Sequence, residues 1–458
     1  MCEVPMTDIL QLPSLKPLLV IDEGDNYRIE AEGLVVPTCC TACRSERLHG
    51  HGTQIQSYRD MPQHGETVQI EVHRRRFRCQ DCGKTLFDPI AGLDGKRLAT
   101  RRLVSYIHTH AFKQTFAFLA RQVAMDEKTI RQIFTDHVVD LESSIRFVTP
   151  RWLGIDELKI IGAYRAIITN IKRRTVFDLL ESRSKADLLP YFRALRDKDG
   201  IEWVTMDMYH VYRQVVHATL PQARIIVDKF HIQRMANNLL ETMRKRFRKT
   251  LSQRQRLKLK DERFLLLKRQ RDLSPEAMQR MQAWFRQFPL LGEAHVLKEG
   301  YLSVWDHDTR PAAEAAYTTW LKKVPSELYA DFHELTTAMS NWYEEIFNYF
   351  EHPITNAYTE SVNNLAKGMN RMGRGYSFEV IRARMLYDAK SRKAGTVVAR
   401  EIKPERDQVP CYDGLPEDVS GFMTYKSLSL PQRTVERVVE YGPHIPTLTR
   451  LLEEGYFE

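Results

Sequence analysis

The chain has 458 residues, 43% hydrophobic and 28% charged, enough for two to four domains with their own cores. No apolar run approaches the roughly 18 residues of a membrane span, and MCEVPMTDIL does not read as a signal peptide; the expectation is a soluble, cytoplasmic protein with no membrane partner. The net charge of +9 is local: residues 244–271 carry 13 Lys/Arg against Asp261 and Glu262, so the rest of the chain sums to about −2. Such a run suits either a polyanion-facing surface or a solvated helix face.

In chain order, residues 1–35 read as a lead-in, with a short helix in TDILQLPSLKPLL and a strand-like approach. Residues 36–92 hold five of the seven cysteines. Cys40-x-x-Cys43 and Cys79-x-x-Cys82-Gly83 form two thiolate knuckles, the spacing that presents four soft donors to a structural Zn²⁺ ion. ETVQIEVHRRRFRC between them alternates Val68, Ile70 and Val72 as a half-buried strand does. The 35-residue gap exceeds the usual ribbon spacing and calls for an added hairpin. Cys39 competes with Cys40 as a ligand, although the x₂ spacing favours Cys40. Arg74, Arg75, Arg76 and Arg78 give this zinc ribbon a cationic face suited to DNA.

Residues 97–150 read as helical. TFAFLARQVAMDEKTIRQIFTDHV gives a first helix with Phe118, Leu119 and Val123, a break at MDE capped by Asp126, and a second helix with Ile130, Ile133 and Phe134. Lys128, Thr129, Arg131 and Gln132 then face outward, as on a helix-turn-helix recognition helix. Two ordinary amphipathic core helices fit the same pattern.

From 151 to 233 the order is strand, strand, strand, helix, strand, helix, strand, the ribonuclease-H-like layout in which the first and fourth strands are neighbours. WLGIDE and IEWVTMD each end an apolar approach on a carboxylate, so Asp156 and Asp207 are expected at adjacent strand ends. Paired carboxylates repel unless cations lie between them, and hard oxygen donors suit Mg²⁺ or Mn²⁺, with two ions needing a third acid. Residues 234–350 read as long charged helices with Trp284, Trp305, Trp320 and Trp342 as core anchors. In NAYTESVNNLAKGMNRMGRGY, within the segment 351–395, a helix puts Glu360, Asn364, Lys367 and Arg371 on one face and Val362, Leu365, Ala366 and Met369 on the other. Glu360 is the leading third acid. Asp228 in VDKFH is its rival, and His231 is a further ligand or a neighbouring hydrogen-bonding group. The tail from 396 to 458 ends in two short expected helices.

The knuckles, RRRFRCQDCG, WLGIDE, VTMDMYHVY, VDKFH and the glutamate-helix segment together resemble the bacterial insertion-sequence transposases of the ISL-three family, DDE enzymes with an N-terminal zinc ribbon. The resemblance runs from about residue 38 to 390. It implies a multidomain α/β protein: zinc ribbon, helix-turn-helix, and a ribonuclease-H-like domain whose two parts flank an α-helical insertion. It further implies that Asp156, Asp207 and Glu360 are the catalytic acids. The expected partners are the terminal inverted repeats and target sites of double-stranded DNA, with at least a homodimer on DNA. Arg244, Lys245, Arg246, Arg248 and Lys249, together with Lys367, Arg371 and Arg374, are expected to hold phosphates. A ribonuclease-H-like nuclease without strand transfer, and a non-catalytic zinc-ribbon regulator, are the rival expectations.

Overall fold

His64 and Gly65 both adopt positive φ (54° and 91°), closing the two-residue turn that favours a twisted hairpin. This hairpin joins β3 (Leu48–Gln63) to β4 (Glu66–Cys79), preceded by β1 (Leu15–Asp22) and β2 (Asn26–Gly33). It is the added hairpin that the long gap between knuckles called for. Val68, Ile70 and Val72 are buried with Leu15, Ile29, Ala31 and Tyr58 in one core. β5 (Thr85–Phe87), β6 (Leu93–Asp94) and β7 (Ala99–Thr100) complete a sheet ordered β1-β2-β4-β3-β7-β6, with β5 on β4. The computed structural model describes residues 10–373, 375–388, 396–399 and 435–439.

The lead-in helix expected in TDILQLPSLKPLL is not found among its described residues: LKPLL opens β1, antiparallel to β2. Pro13 and Pro17 oppose a helix interior. An edge strand tolerates Pro17 because its register slips between Pro17 and Leu19.

The arginines of RRRFR divide between two tasks. Arg74 donates to the fully buried Asp88 at 2.7 Å and to the Tyr58 hydroxyl at 2.8 Å, and Arg75 donates to the carbonyls of Gly33 and Val35. Both brace the sheet, whereas Arg78 is exposed.

Helices α1 (Arg101–His110), α2 (Phe116–Gln122) and α3 (Glu127–Ser144) follow. Asp126 caps α3 through the Lys128 amide at 2.8 Å. Leu119, Val123, Ile130, Ile133 and Phe134 are buried as their pattern suggests. Phe118 is not: it is 39% exposed, and Phe116, 1% exposed, takes the core position. Lys128 and Gln132 are exposed, while Thr129 and Arg131 are half-buried. Arg131 is tied to Glu127 at 2.9 Å.

After β8 (Ile145–Phe147) a second compact unit spans Val148–Arg371. It contains β9 (Trp152–Ile160), β10 (Ala163–Asn170), β11 (Thr175–Leu180), α4 (Lys185–Ala194), β12 (Trp203–Met206), α5 (His210–Thr219) and β13 (Arg224–Val227). The sheet order is β11-β10-β9-β12-β13. β10 is antiparallel to both its neighbours, and β12 is parallel to β9 and β13.

From 229 to 347 the regular structure is helical: α6 (Lys229–Arg248), α7 (Gln253–Asp261), α8 (Arg263–Leu267), α9 (Pro275–Gln287), α10 (Pro289–Ser303), α11 (Arg310–Leu321), α12 (Tyr329–Asn341) and α13 (Tyr343–Phe347). The four tryptophans expected as anchors are all buried here. α14 (Ala357–Met372) returns to the sheet and buries Val362, Leu365, Ala366 and Met369.

α15 (Phe378–Tyr387), expected with the glutamate-helix segment, belongs instead to the unit containing residues up to Phe147. There Arg384 donates to the carbonyls of Ala111 and Gln114, both at 2.7 Å. β14 (Thr396–Ala399) and β15 (Val435–Val439) form a sheet with β8. Arg374 and the two helices expected near the end of the tail lie outside the described residues. No described helix is long and apolar enough to cross a membrane.

Arg74→Ala should cost roughly 3 kcal/mol by leaving the buried Asp88 with only the more distant Arg75, 3.8 Å away, whereas Arg78→Ala should stay within about 0.5 kcal/mol. Urea unfolding of the two variants separates the bracing arginine from the exposed one.

Candidate active site

Strand register builds this site. Trp203, Val204 and Thr205 of β12 pair with Trp152, Leu153 and Gly154 of β9, and continuing that register brings Asp207 level with Asp156. β13 pairs Val227 with Met206, so Asp228 stands level with Asp207. Three adjacent parallel strands therefore offer carboxylates in one row. Asp156 is 5% exposed and Asp228 is fully buried. Asp228 also caps α6, accepting from the Phe230 amide at 3.2 Å.

The N-terminal turn of α14 docks one level below this row. Asn356 donates to the Ile155 carbonyl at 3.1 Å and accepts from Thr205 at 3.1 Å, while Thr359 and Thr169 share a hydrogen bond of 2.7 Å. Gly154 makes that contact possible. A Cβ there would stand 2.5 Å from Thr169 Oγ1, 2.6 Å from Thr359 Oγ1 and 2.7 Å from Asn356 Oδ1.

One turn further along α14, Asn363 donates to Asp156 Oδ2 at 2.8 Å and to the Glu157 carbonyl at 3.2 Å. The expected helix amide was Asn364, which is exposed. Asn363 takes the role because it shares the buried stripe with Thr359 and Ala366. That stripe, followed at i, i+4 and i+7 from Thr359, is the signal that identifies it.

Glu360 reaches the other end of the row. Its Oε1 accepts from Arg234 at 3.1 Å and lies 3.6 Å from His231 Nε2. Ligand-capable atoms of Asp228, His231 and Glu360 all lie within 4.8 Å of one another. The two rivals for third acid are thus neighbours, with His231 beside them. Lys367 and Arg371 are exposed on the outer face of α14. Sequence patterning also missed Arg183, which follows β11 in a loop without periodicity. Its guanidinium lies 4.3 Å from the Tyr164 ring centroid and 4.7 Å from that of Tyr209.

The electrostatics follow from this crowding. Burial, then the charges of Asp207, Glu360 and Asp228, push Asp156 up to about 8. Burial pushes Asp207 and Asp228 each up to about 6, with nearby Arg183 opposing the shift at Asp207. Asp207 Oδ1 and Asp228 Oδ2 are buried with no hydrogen-bond partner among the described residues. Buried, unsatisfied oxygens on mutually repelling carboxylates are a donor set that a hard divalent cation fits.

The knuckles form a second metal-ligating group. Cys40 Sγ lies 3.5 Å from Cys82 Sγ, and Cys43 Sγ lies 3.5 Å from Cys79 Sγ. Tetrahedral Zn–S bonds of about 2.3 Å imply S–S separations of about 3.8 Å, so the four thiols fit one zinc ion. Amides of Cys43 and Ala42 draw Cys40 down to about 6, toward the thiolate that zinc needs. The buried Cys39 is not a member of the group.

Residues 153–385 match the family model of the ISL3-type DDE transposases, described as transposase. The chain belongs to this transposase family. Residues 37–82 of the transposase match a second model, the zinc-finger of transposase IS204/IS1001/IS1096/IS1165. With the four-thiol cluster, that match supports a structural zinc ion in its ribbon. The transposase is also similar to the transposase for insertion sequence element IS1001 of Bordetella parapertussis. The two are 23% identical over 367 residues, covering 78% of this chain and 89% of that protein.

Gly154→Ala should lower stability by about 1–3 kcal/mol, since three oxygens crowd the new methyl group; thermal melts at fixed pH measure it. A second outcome concerns pH. Folding raises the Asp156 pKa from 3.8 to about 8, so the folded chain retains a proton that the unfolded chain has released. Without Mg²⁺ or Mn²⁺, stability should therefore fall as pH rises from about 4 to about 8. Melts of the zinc-loaded protein in buffer free of Mg²⁺ and Mn²⁺ and without chelator should show the fall, and added Mg²⁺ should raise the melting temperature more at pH 8 than at pH 5. A temperature insensitive to Mg²⁺ at both pH values would remove the cation from the site.

Proposed function

We propose that this transposase cuts DNA at the ends of an insertion sequence and joins the freed ends to target DNA. The reading places its active site in a ribonuclease-H-like domain interrupted by the helical block 229–347. The observation that carries it is the row of carboxylates, buried at Asp156 and Asp228 and half-buried at Asp207, two with oxygens unpartnered among the described residues, met by Glu360 from α14. Asp156, Asp207 and Glu360 are the proposed catalytic acids. Asp228 and His231 flank Glu360 and set its position, while Asn363 fixes the rotamer of Asp156.

One or two Mg²⁺ or Mn²⁺ ions held by these acids would supply charge neutralisation and Lewis acidity toward the scissile phosphate. In the first step water attacks a phosphodiester at the element end and the 3′-oxygen leaves as a 3′-hydroxyl. In the second, that hydroxyl attacks a target phosphodiester in line, forming one P–O bond as the bond to the target 3′-oxygen breaks; its proton passes to solvent, and the target 3′-oxygen takes one up and leaves as a 3′-hydroxyl. The carboxylates position the nucleophile, and the apolar strand approaches keep it from bulk water.

The ribbon, through Arg76 and Arg78, and α3, through Lys128, Thr129 and Gln132, are the proposed readers of the terminal inverted repeats. Holding two ends together calls for at least a dimer on DNA. Of the basic run, Lys245 and Lys249 are exposed and suited to phosphate. Arg244 is not a contact of this kind: it is 3% exposed and held by Glu241. Arg246 is engaged by Asp331 at 2.9 and 3.0 Å.

Labelled element-end DNA incubated with Mg²⁺ and target plasmid tests the proposal. Asp207→Asn and Glu360→Gln should each reduce cleavage at least about a hundredfold while retaining binding to the ends. Normal cleavage by Asp207→Asn would show the site to be elsewhere. Cleavage by the wild type with no joining to target would leave a nuclease.

A further inference from the structure

Apart from the carboxylate row, α6, α7 and α8 enclose a cleft of about 560 Å³. Its lining carries five cations and one carboxylate, Glu241. That carboxylate is already taken: Arg244 holds it with two hydrogen bonds of 2.8 Å, and Arg263 and Lys245 stand 3.4 and 3.7 Å away. Arg248 and Lys260 line the cleft with no carboxylate partner among the described residues. Phe264 lines it too and is 71% exposed, with the Arg263 guanidinium 5.7 Å from its ring centroid.

Surplus cations suit any polyanion, and the ring narrows the choice. Duplex DNA turns its base faces inward onto their neighbours and offers a protein only phosphates, sugars and base edges. An unpaired nucleotide presents a base face as well, and an aromatic ring beside a cationic groove is the surface that takes both. We infer that this cleft receives an unpaired nucleotide of DNA, its base stacked on Phe264 and its phosphates held by Arg248 and Lys260. The inference rests on the proposed strand cleavage for the source of such nucleotides, since frayed or cut ends supply them. Binding itself is read without cleavage.

The test uses the full chain with a fluorescein-labelled oligothymidylate, a blunt duplex of the same length, and a duplex bearing one unpaired fluorescent adenine analogue at its end. Phe264→Ala should weaken single-strand binding about tenfold, leave blunt-duplex binding unchanged, and abolish the quenching of the analogue. Phe264→Trp should retain affinity and quenching. Combined Arg248→Ala and Lys260→Ala should weaken single-strand binding and flatten its salt dependence. Unchanged single-strand binding in Phe264→Ala, or equal losses on single strand and duplex, would overturn the inference. Wild-type protein that binds single strands through Phe264 yet cuts no element end would overturn the proposed function alone. Cleavage by a Phe264→Ala protein with undiminished single-strand binding would overturn only the stacking site.

Discussion

The arrangement of the second unit depends on like charges held side by side by hydrogen bonds that cannot slip. Parallel pairing of β9, β12 and β13 sets Asp156, Asp207 and Asp228 level, and each strand is anchored by residues buried on both faces, among them Ile155, Val204, Met206 and Ile226. A one-residue slip would turn a carboxylate into the opposite layer. The backbone thus supplies the force that keeps mutually repelling acids together. α14 docks on the same strands through Asn356 and Thr359, so one register positions both the strand acids and the helix that brings Glu360.

Much of this was legible in the sequence because it rests on short-range pattern. The apolar approach to Asp207 marks a strand end, paired Cys-x-x-Cys turns mark a ligand set, and the apolar stripe of α14 marks its buried face; Asp156, expected at a strand end as well, instead sits mid-strand in β9, which continues to Ile160 because its pairing with β10 runs that far. What escaped lies where the deciding contact is distant in sequence. Asn363 and Asn364 differ in which meets β9, and the stripe that separates them can be counted only from Thr359, whose own burial is set by its distant contact with Thr169. Phe116 and Phe118 posed the same problem two positions apart. In the lead-in, Pro13 and Pro17 were the available warning, outweighed by the leucines around them. The loop residue Arg183 has no periodicity to betray it.

Cationic residues show how little a charge count says about a surface. Arg74 and Arg75 brace the ribbon, Arg244 and Arg246 join helices of the second unit, and Arg384 ties α15 to the segment between α1 and α2. Each donates to a buried acid, an acid on another helix or a main-chain oxygen, so none is a spare positive charge. The surplus lies with residues that have no such acceptor among the described residues: Arg78 in the ribbon, and Arg248 and Lys260 in the cleft. A planar guanidinium can satisfy several acceptors at once, which explains why the internal tasks fall to arginine.

The hydrogen bonds that seat α14 join residues very far apart in the chain: 201 positions for Asn356 to Ile155 and 207 for Asn363 to Asp156. Contacts of such separation form late, after the entropy of closing a long loop has been overcome. During synthesis at about 5–20 residues per second, β9 leaves the ribosome about 10–40 s before α14 can join it. For the later part of that interval, once β12 and β13 have followed β9, the growing chain has its ribbon and its strand acids but lacks the helix that completes the row. The order of elements along the chain is therefore also a timing device, and it withholds the assembled site from a partly made protein.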